Sequence, residues 1–101
     1  MTWRLFLDDN RDAPVGLMVA RSFLEAKNLV LSCGCPEYIS FDYYLGDGEL
    51  TGVDFAKWLM QADASDRIQI PEDFEFDVHS SSPDGATEIC NTLSDYLSSR
   101  H

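Results

Sequence analysis

A short apolar run, Arg4-Leu5-Phe6-Leu7, stops abruptly at Asp8-Asp9-Asn10. An apolar stretch of that length bounded by turn-forming residues predicts a strand buried on both faces. Asp9 to Gly16 (DNRDAPVG) reads as a loop punctuated by Pro14 and Gly16. A second short strand is expected over Leu17 to Arg21. Ser22-Phe23-Leu24-Glu25 then has capping-box spacing, in which serine and glutamate satisfy each other's orphan backbone donors. The helix that follows is expected to run through Cys33, with Gly34 where a left-handed cap is wanted. Tyr38-Ile39-Ser40-Phe41-Asp42 predicts a third strand, again closing on a carboxylate. Leu45 to Thr51 is a polar loop with two glycines, and Gly52 to Gln61 carries Val53, Ala56 and Met60 on one helical stripe beside Phe55 and Leu59. Asp63 to Asp73 is irregular and polar. Phe74, Phe76 and Val78 alternate with Glu75 and Asp77, the period of a strand with one wet side. A last helix is expected from about Pro83, with Ala86, Ile89, Leu93, Tyr96 and Leu97 on one face.

Strands alternating with helices predict a parallel α/β sheet in a single domain spanning residues 1–101. One connection is unusual. Only Asn10 to Gly16 separates the first two strands, so the second is either joined by a tight helix-free crossover or runs antiparallel. Hydrophobic residues at 45% and charged residues at 25% are those of an ordinary globular domain, which excludes wholesale disorder. No apolar run approaches the roughly 18–20 residues of a bilayer span, and the start lacks a signal peptide's apolar stretch, so a cytoplasmic location is expected. Seven basic against eighteen acidic residues give a net charge of −11. Bulk nucleic-acid binding and adhesion to anionic membranes both need the opposite sign. Cys33, Cys35 and Cys90 lack the companion ligands of a zinc site and are expected to be buried or half-buried thiols in a reducing compartment.

Ligands of open α/β sheets bind outside the carboxyl ends of the strands. Three of the four predicted strands end in chemically capable groups: Asp8-Asp9, Asp42 and His79-Ser80, with Arg21 at the end of the remaining one. In a parallel sheet these converge on one rim. Carboxylates crowded there raise one another's pKa unless a cation compensates, and hard oxygen ligands suit magnesium (Mg2+) with a substrate phosphate. Arg11 or Arg21 is placed to clamp phosphate oxygens, and His79 to act as acid or base. Ser80-Ser81-Ser82 before Pro83 suits either a helix cap or an anion. Asp47, Glu49, Glu72, Asp73 and Glu75 are expected on the solvated surface, and Trp3 and Trp58 in the core.

Leu5-Phe6-Leu7-Asp8-Asp9, Phe41-Asp42 and Leu45-Gly46 resemble a response-regulator receiver domain. The closer resemblance is to the compact receiver-like family predicted to process cyclic phosphates. It is carried by Leu7-Asp8-Asp9-Asn10-Arg11-Asp12-Ala13-Pro14, Ile39-Ser40-Phe41-Asp42-Tyr43-Tyr44-Leu45-Gly46, Thr51-Gly52-Val53-Asp54 and Val78-His79-Ser80-Ser81-Ser82-Pro83-Asp84-Gly85-Ala86. The resemblance implies a compact receiver-like (flavodoxin-like) three-layer α/β sandwich of about four mainly parallel strands and three helices. It lacks the last receiver strand and that strand's phosphate-binding lysine. The resemblance further implies a bacterial or phage origin, a magnesium cofactor held by Asp8, Asp9 and Asp42, and catalytic or binding roles for Arg11, Asp42, His79 and Ser80. The activity expected is ring opening or hydrolysis of a cyclic phosphate or another small phosphorylated substrate. Two alternatives remain open: a non-catalytic module that accepts a phosphoryl group on Asp42, and an acidic phage protein that occupies a basic groove on a host partner.

Overall fold

A computed structural model describes residues 2–46 and 50–99. The element order is β1 (Arg4–Leu7), β2 (Met18–Ala20), α1 (Phe23–Cys33), β3 (Tyr38–Phe41), α2 (Gly52–Ala64), β4 (Glu75–Val78) and α3 (Pro83–Ser99). The four strands form one sheet in the order β2-β1-β3-β4, every neighbouring pair parallel. One sheet of four parallel strands with three helices is the compact receiver-like α/β sandwich expected from the sequence, but all three helices share a core on one face of the sheet, giving two layers instead of three.

The period of two sorts the strand residues onto two faces. Leu5 and Leu7 of β1 and Ile39 and Phe41 of β3 are fully buried. They share one core with Ala26 and Val30 of α1, Phe55, Ala56 and Leu59 of α2, and Ile89 and Leu93 of α3. Each large side chain withdrawn from water in this way contributes about 1.5–3 kcal/mol. The alternate positions, Phe6, Ser40 and Asp77, lie in register with one another on the opposite face. Phe6 is buried yet stands outside the core cluster.

The second strand is parallel, which resolves the tight connection. Strands of three or four residues are only about 10–13 Å long, so the segment between Leu7 and Met18 suffices to return to the start of the sheet. It turns through Leu17 N–H donating to the Pro14 carbonyl and through Gly16 at φ 92°. At α1 half of the expected capping box forms: Ser22 Oγ accepts from the Glu25 N–H, but the Glu25 carboxylate accepts from the Arg21 N–H instead of that of Ser22, and Gly34 ends the helix at φ 85°. At α2 the capping box pairs Thr51 with Asp54, a signal additional to the glycine. That helix runs past Gln61 to Ala64, because Asp63 is a tertiary tether. Its carboxylate accepts from the Ile70 N–H at 2.8 Å and from the Tyr96 hydroxyl at 2.6 Å.

Glu72, Asp73 and Glu75 are exposed, and Trp3 and Trp58 pack half-buried against the core. Asp47 and Glu49 lie outside the described residues. The cysteines require a correction: all three are free thiols, but Cys33 and Cys90 are exposed and only Cys35 is half-buried. Cys33 closes α1, and Cys90 follows Ile89 on the side of α3 turned away from the core. Among the described residues no helix is long and apolar enough to cross a membrane.

Candidate functional site

The chain leaves β1 for β2 on one side, whereas β3 lies on the other. Such a reversal opens a crevice at the carboxyl ends of the two strands. Asp8 follows β1 and Asp42 follows β3, so both stand at its mouth, with His79 alongside at the end of β4. Each is one residue beyond its strand yet still held by the ladder. Asp8 N–H donates to the Ala20 carbonyl, Asp42 N–H to Leu7 and His79 N–H to Phe41, at 2.9–3.1 Å. In phase with Phe6, Ser40 and Asp77, all three belong to the face opposite the helical core.

Asp8, Asp42 and His79 each offer one ligand atom, and these atoms lie within 4.8 Å of one another. Asp8 is fully buried and Asp42 only 8% exposed. Asp8 Oδ1 accepts the backbone N–H groups of Asn10 and Arg11, both at 3.0 Å. Its Oδ2 lies 2.9 Å from His79 Nε2 and 3.7 Å from Arg11 Nε. Asp42 Oδ1 accepts from the Tyr43 N–H at 2.8 Å. The other ring nitrogen of His79, Nδ1, is 2.7 Å from Ser40 Oγ, and the ring stacks on Phe6 with centroids 4.5 Å apart and planes 7° from parallel.

These surroundings drive the two carboxyls apart. Burial pushes Asp8 up, but the N–H groups of Asn10 and Arg11 and the His79 side chain outweigh it, so its pKa falls below the ordinary 3.8. Asp42 is pushed above that value by burial and then by the Asp8 charge, with Tyr43, His79 and Arg11 opposing in part. An ionised carboxylate beside one that resists ionisation is an arrangement a divalent cation relieves. Two carboxylates and an imidazole are a donor set such a cation accepts.

The remaining expected residues fall around this pocket. Arg11 closes one wall, with Nη1 donating to the His79 carbonyl at 2.7 Å while Nε faces Asp8. Arg21 lies beneath the loop instead: its Nη1 donates to the carbonyls of Asp8 and Arg11, fastening the segment that carries both. Asp9 is exposed and lies outside the three-residue cluster. Ser80 is half-buried, its hydroxyl accepting from the Ser82 N–H at 3.1 Å, and Ser82 in turn accepts from the Gly85 N–H.

Ser40, Phe6 and two glycines complete the site without having been singled out in the sequence. Ser40 and Phe6 each precede an aspartate by two residues, so period-two phasing already placed them on its face. A Cβ on Gly52 would stand 2.0 Å from the Asp42 carbonyl oxygen, and one on Gly85 2.4 Å from the Tyr43 ring. Both helices therefore approach the end of β3 as closely as a bare backbone allows.

Comparison with known proteins agrees with this architecture. A family model, described as cyclic-phosphate processing receiver domain, matches residues 3–95, a span that includes Asp8, Arg11, Asp42, His79 and Ser80. No curated protein and no solved structure matches the chain.

Proposed function

We propose, from the premise that this chain belongs to the cyclic-phosphate processing receiver domain family, that its pocket opens or hydrolyses a cyclic phosphate or related small phosphoester with the help of a divalent cation. The observation that carries the reading is the meeting of Asp8, Asp42 and His79, 71 residues apart at the extremes, within one 4.8 Å cluster. Magnesium is the cation we favour; bound there it supplies neutralisation of phosphate charge and polarisation of a phosphoryl oxygen. Asp8 and Asp42 are the residues that hold it directly, with Asp9 reaching it through water.

In this reading water adds to phosphorus, one ring P–O bond breaks, and the departing oxygen takes a proton. Asp42, whose Oδ1 accepts from the Tyr43 N–H, would take the water's proton on its other oxygen. His79 Nε2 faces the two carboxylates; with a cation held by Asp8 and Asp42, the doubly protonated ring would give its Nε2 proton to the leaving oxygen and keep the one on Nδ1. The guanidinium of Arg11 keeps unused donors for a phosphate oxygen while it is anchored on the His79 carbonyl. Ser80 donates its hydroxyl proton toward the same anion. The substrate is small and soluble, and the reaction belongs to the cytoplasm.

Purified protein with magnesium and a panel of 2′,3′- and 3′,5′-cyclic phosphates tests the proposal. Turnover by the wild type that is lost in Asp42→Asn and in His79→Ala is expected. No turnover on any member, with wild type and His79→Ala alike, refutes it. A stable acetyl-phosphate adduct on Asp42 without turnover would instead favour a phosphoacceptor. That alternative has the buried strand-end aspartate in its favour, while the chain's two lysines, Lys27 and Lys57, sit on α1 and α2.

A further inference from the structure

We propose that Ser40 and Phe6 are positioning residues that hold the His79 ring with Nε2 turned toward Asp8 and Asp42. The inference rests on the hydrolytic reading above and extends it to two side chains that need touch neither cation nor substrate.

Ser40 is the polar exception in β3, whose neighbours Ile39 and Phe41 are fully buried in the core. It is itself only 6% exposed. A buried hydroxyl is unfavourable unless hydrogen-bonded, and this one lies 2.7 Å from His79 Nδ1. A half-turn of the imidazole about its Cβ–Cγ bond would replace Nδ1 by a carbon that cannot make that bond, and would carry Nε2 away from Asp8. Ser40 therefore selects one of two ring orientations. The hydroxyl also suits both forms of the ring, donating to a bare Nδ1 or accepting from Nδ1–H. Phe6 supplies the complementary restraint: a parallel ring at 4.5 Å fixes the plane of the imidazole without competing for either nitrogen. Held this way, the ring presents Nε2 to Asp8 and to the pocket whichever proton it carries.

The test reads ring and rate separately. Nitrogen–proton correlation spectra of 15N-histidine-labelled protein report which ring nitrogen carries the proton, in wild type, Ser40→Ala, Ser40→Thr and Phe6→Leu at one neutral pH. The wild type is expected to show one set of ring-nitrogen signals, from a single orientation, Ser40→Ala a second set, and Ser40→Thr, which keeps the hydroxyl, the wild-type pattern. On a cyclic phosphate that the wild type turns over, kcat of Ser40→Ala should fall about 10- to 100-fold, less than the roughly 100- to 10,000-fold of a whole general acid because the ring is misaimed and not removed. Its KM should be unchanged, and Ser40→Thr should restore the rate. Should Ser40→Ala fail to fold, Phe6→Leu and Ser40→Thr carry the comparison, the first loosening the ring and the second preserving it. A wild-type ring spectrum in Ser40→Ala overturns the proposal, as does an altered spectrum with undiminished kcat in an active protein. An altered spectrum in a protein whose wild type turns over nothing removes the hydrolytic reading, while the hold of Ser40 on His79 stands.

Discussion

Asp42→Asn should make the metal-free protein more stable while abolishing its response to divalent cations. Two carboxylate charges separated by up to 4.8 Å repel by about 3.5 kcal/mol at an effective dielectric of about 20, and by about 0.9 kcal/mol at that of water. The pocket lies at the rim of the sheet, between those limits, and the attraction of His79 and Arg11 for Asp42 offsets part of the repulsion. A net gain of about 1 kcal/mol is expected on removing the charge. Asparagine keeps the Oδ1 acceptor for the Tyr43 N–H and can offer its amide to the Asp8 carboxylate. In a domain of this size the gain corresponds to a rise of about 4–8 °C in melting temperature. The assay is thermal unfolding of wild type and variant in chelator, then with magnesium. Cation at 100 times its Kd should stabilise the wild type by about 2.7 kcal/mol and the variant far less. An asparagine variant that melts at or below wild type in chelator, or that gains as much from magnesium, would refute the account of a strained acidic pair awaiting a cation.

Gly52→Ala should lose about 1–3 kcal/mol in urea unfolding and weaken the magnesium response as well, since the new Cβ displaces the Asp42 carbonyl, 2.0 Å away; unchanged stability would show that α2 shifts freely at its start. Stability should also depend on pH with opposite signs at the two carboxyls. The Asp42 pKa is raised on folding, so its cost is present at neutral pH and is relieved as pH falls through the folded value toward 3.8. The Asp8 pKa is lowered, so its contribution is full above 3.8 and is lost as pH falls below that toward the folded value. Equilibrium unfolding across this acid range should show Asp42→Asn lacking the gain and Asp8→Asn lacking the loss, each relative to wild type; parallel profiles for all three proteins would contradict the assignment.

The strands and helices were legible because each is written in local physics. Leu5 to Leu7 could end only at the charged Asp8, the Ser22 and Gly34 caps bracket α1, and the alternation of Phe74, Phe76 and Val78 announces β4. Their convergence was legible too, since three strands that close on Asp8, Asp42 and His79 must bring them together once the sheet is parallel. Sequence distance hid everything that depends on which neighbour a side chain meets. Nothing near Arg21 in the chain says that its guanidinium braces the Asp8 and Arg11 carbonyls from below, while Arg11 turns into the pocket. Ser40 reads as an ordinary strand residue until β4 places His79 Nδ1 against it. The cysteines mislead in the other direction, because their average preference for burial yields to the helix faces on which Cys33 and Cys90 happen to fall. The amino-acid order alone determined the elements, their parallel sense at the core and the chemistry carried to the rim, for periodicity and capping act over a few residues. Only the folded chain decided which groups touch, which carboxyl ionises and how the histidine is aimed, for hydrogen bonds and Coulomb forces answer to distances in space.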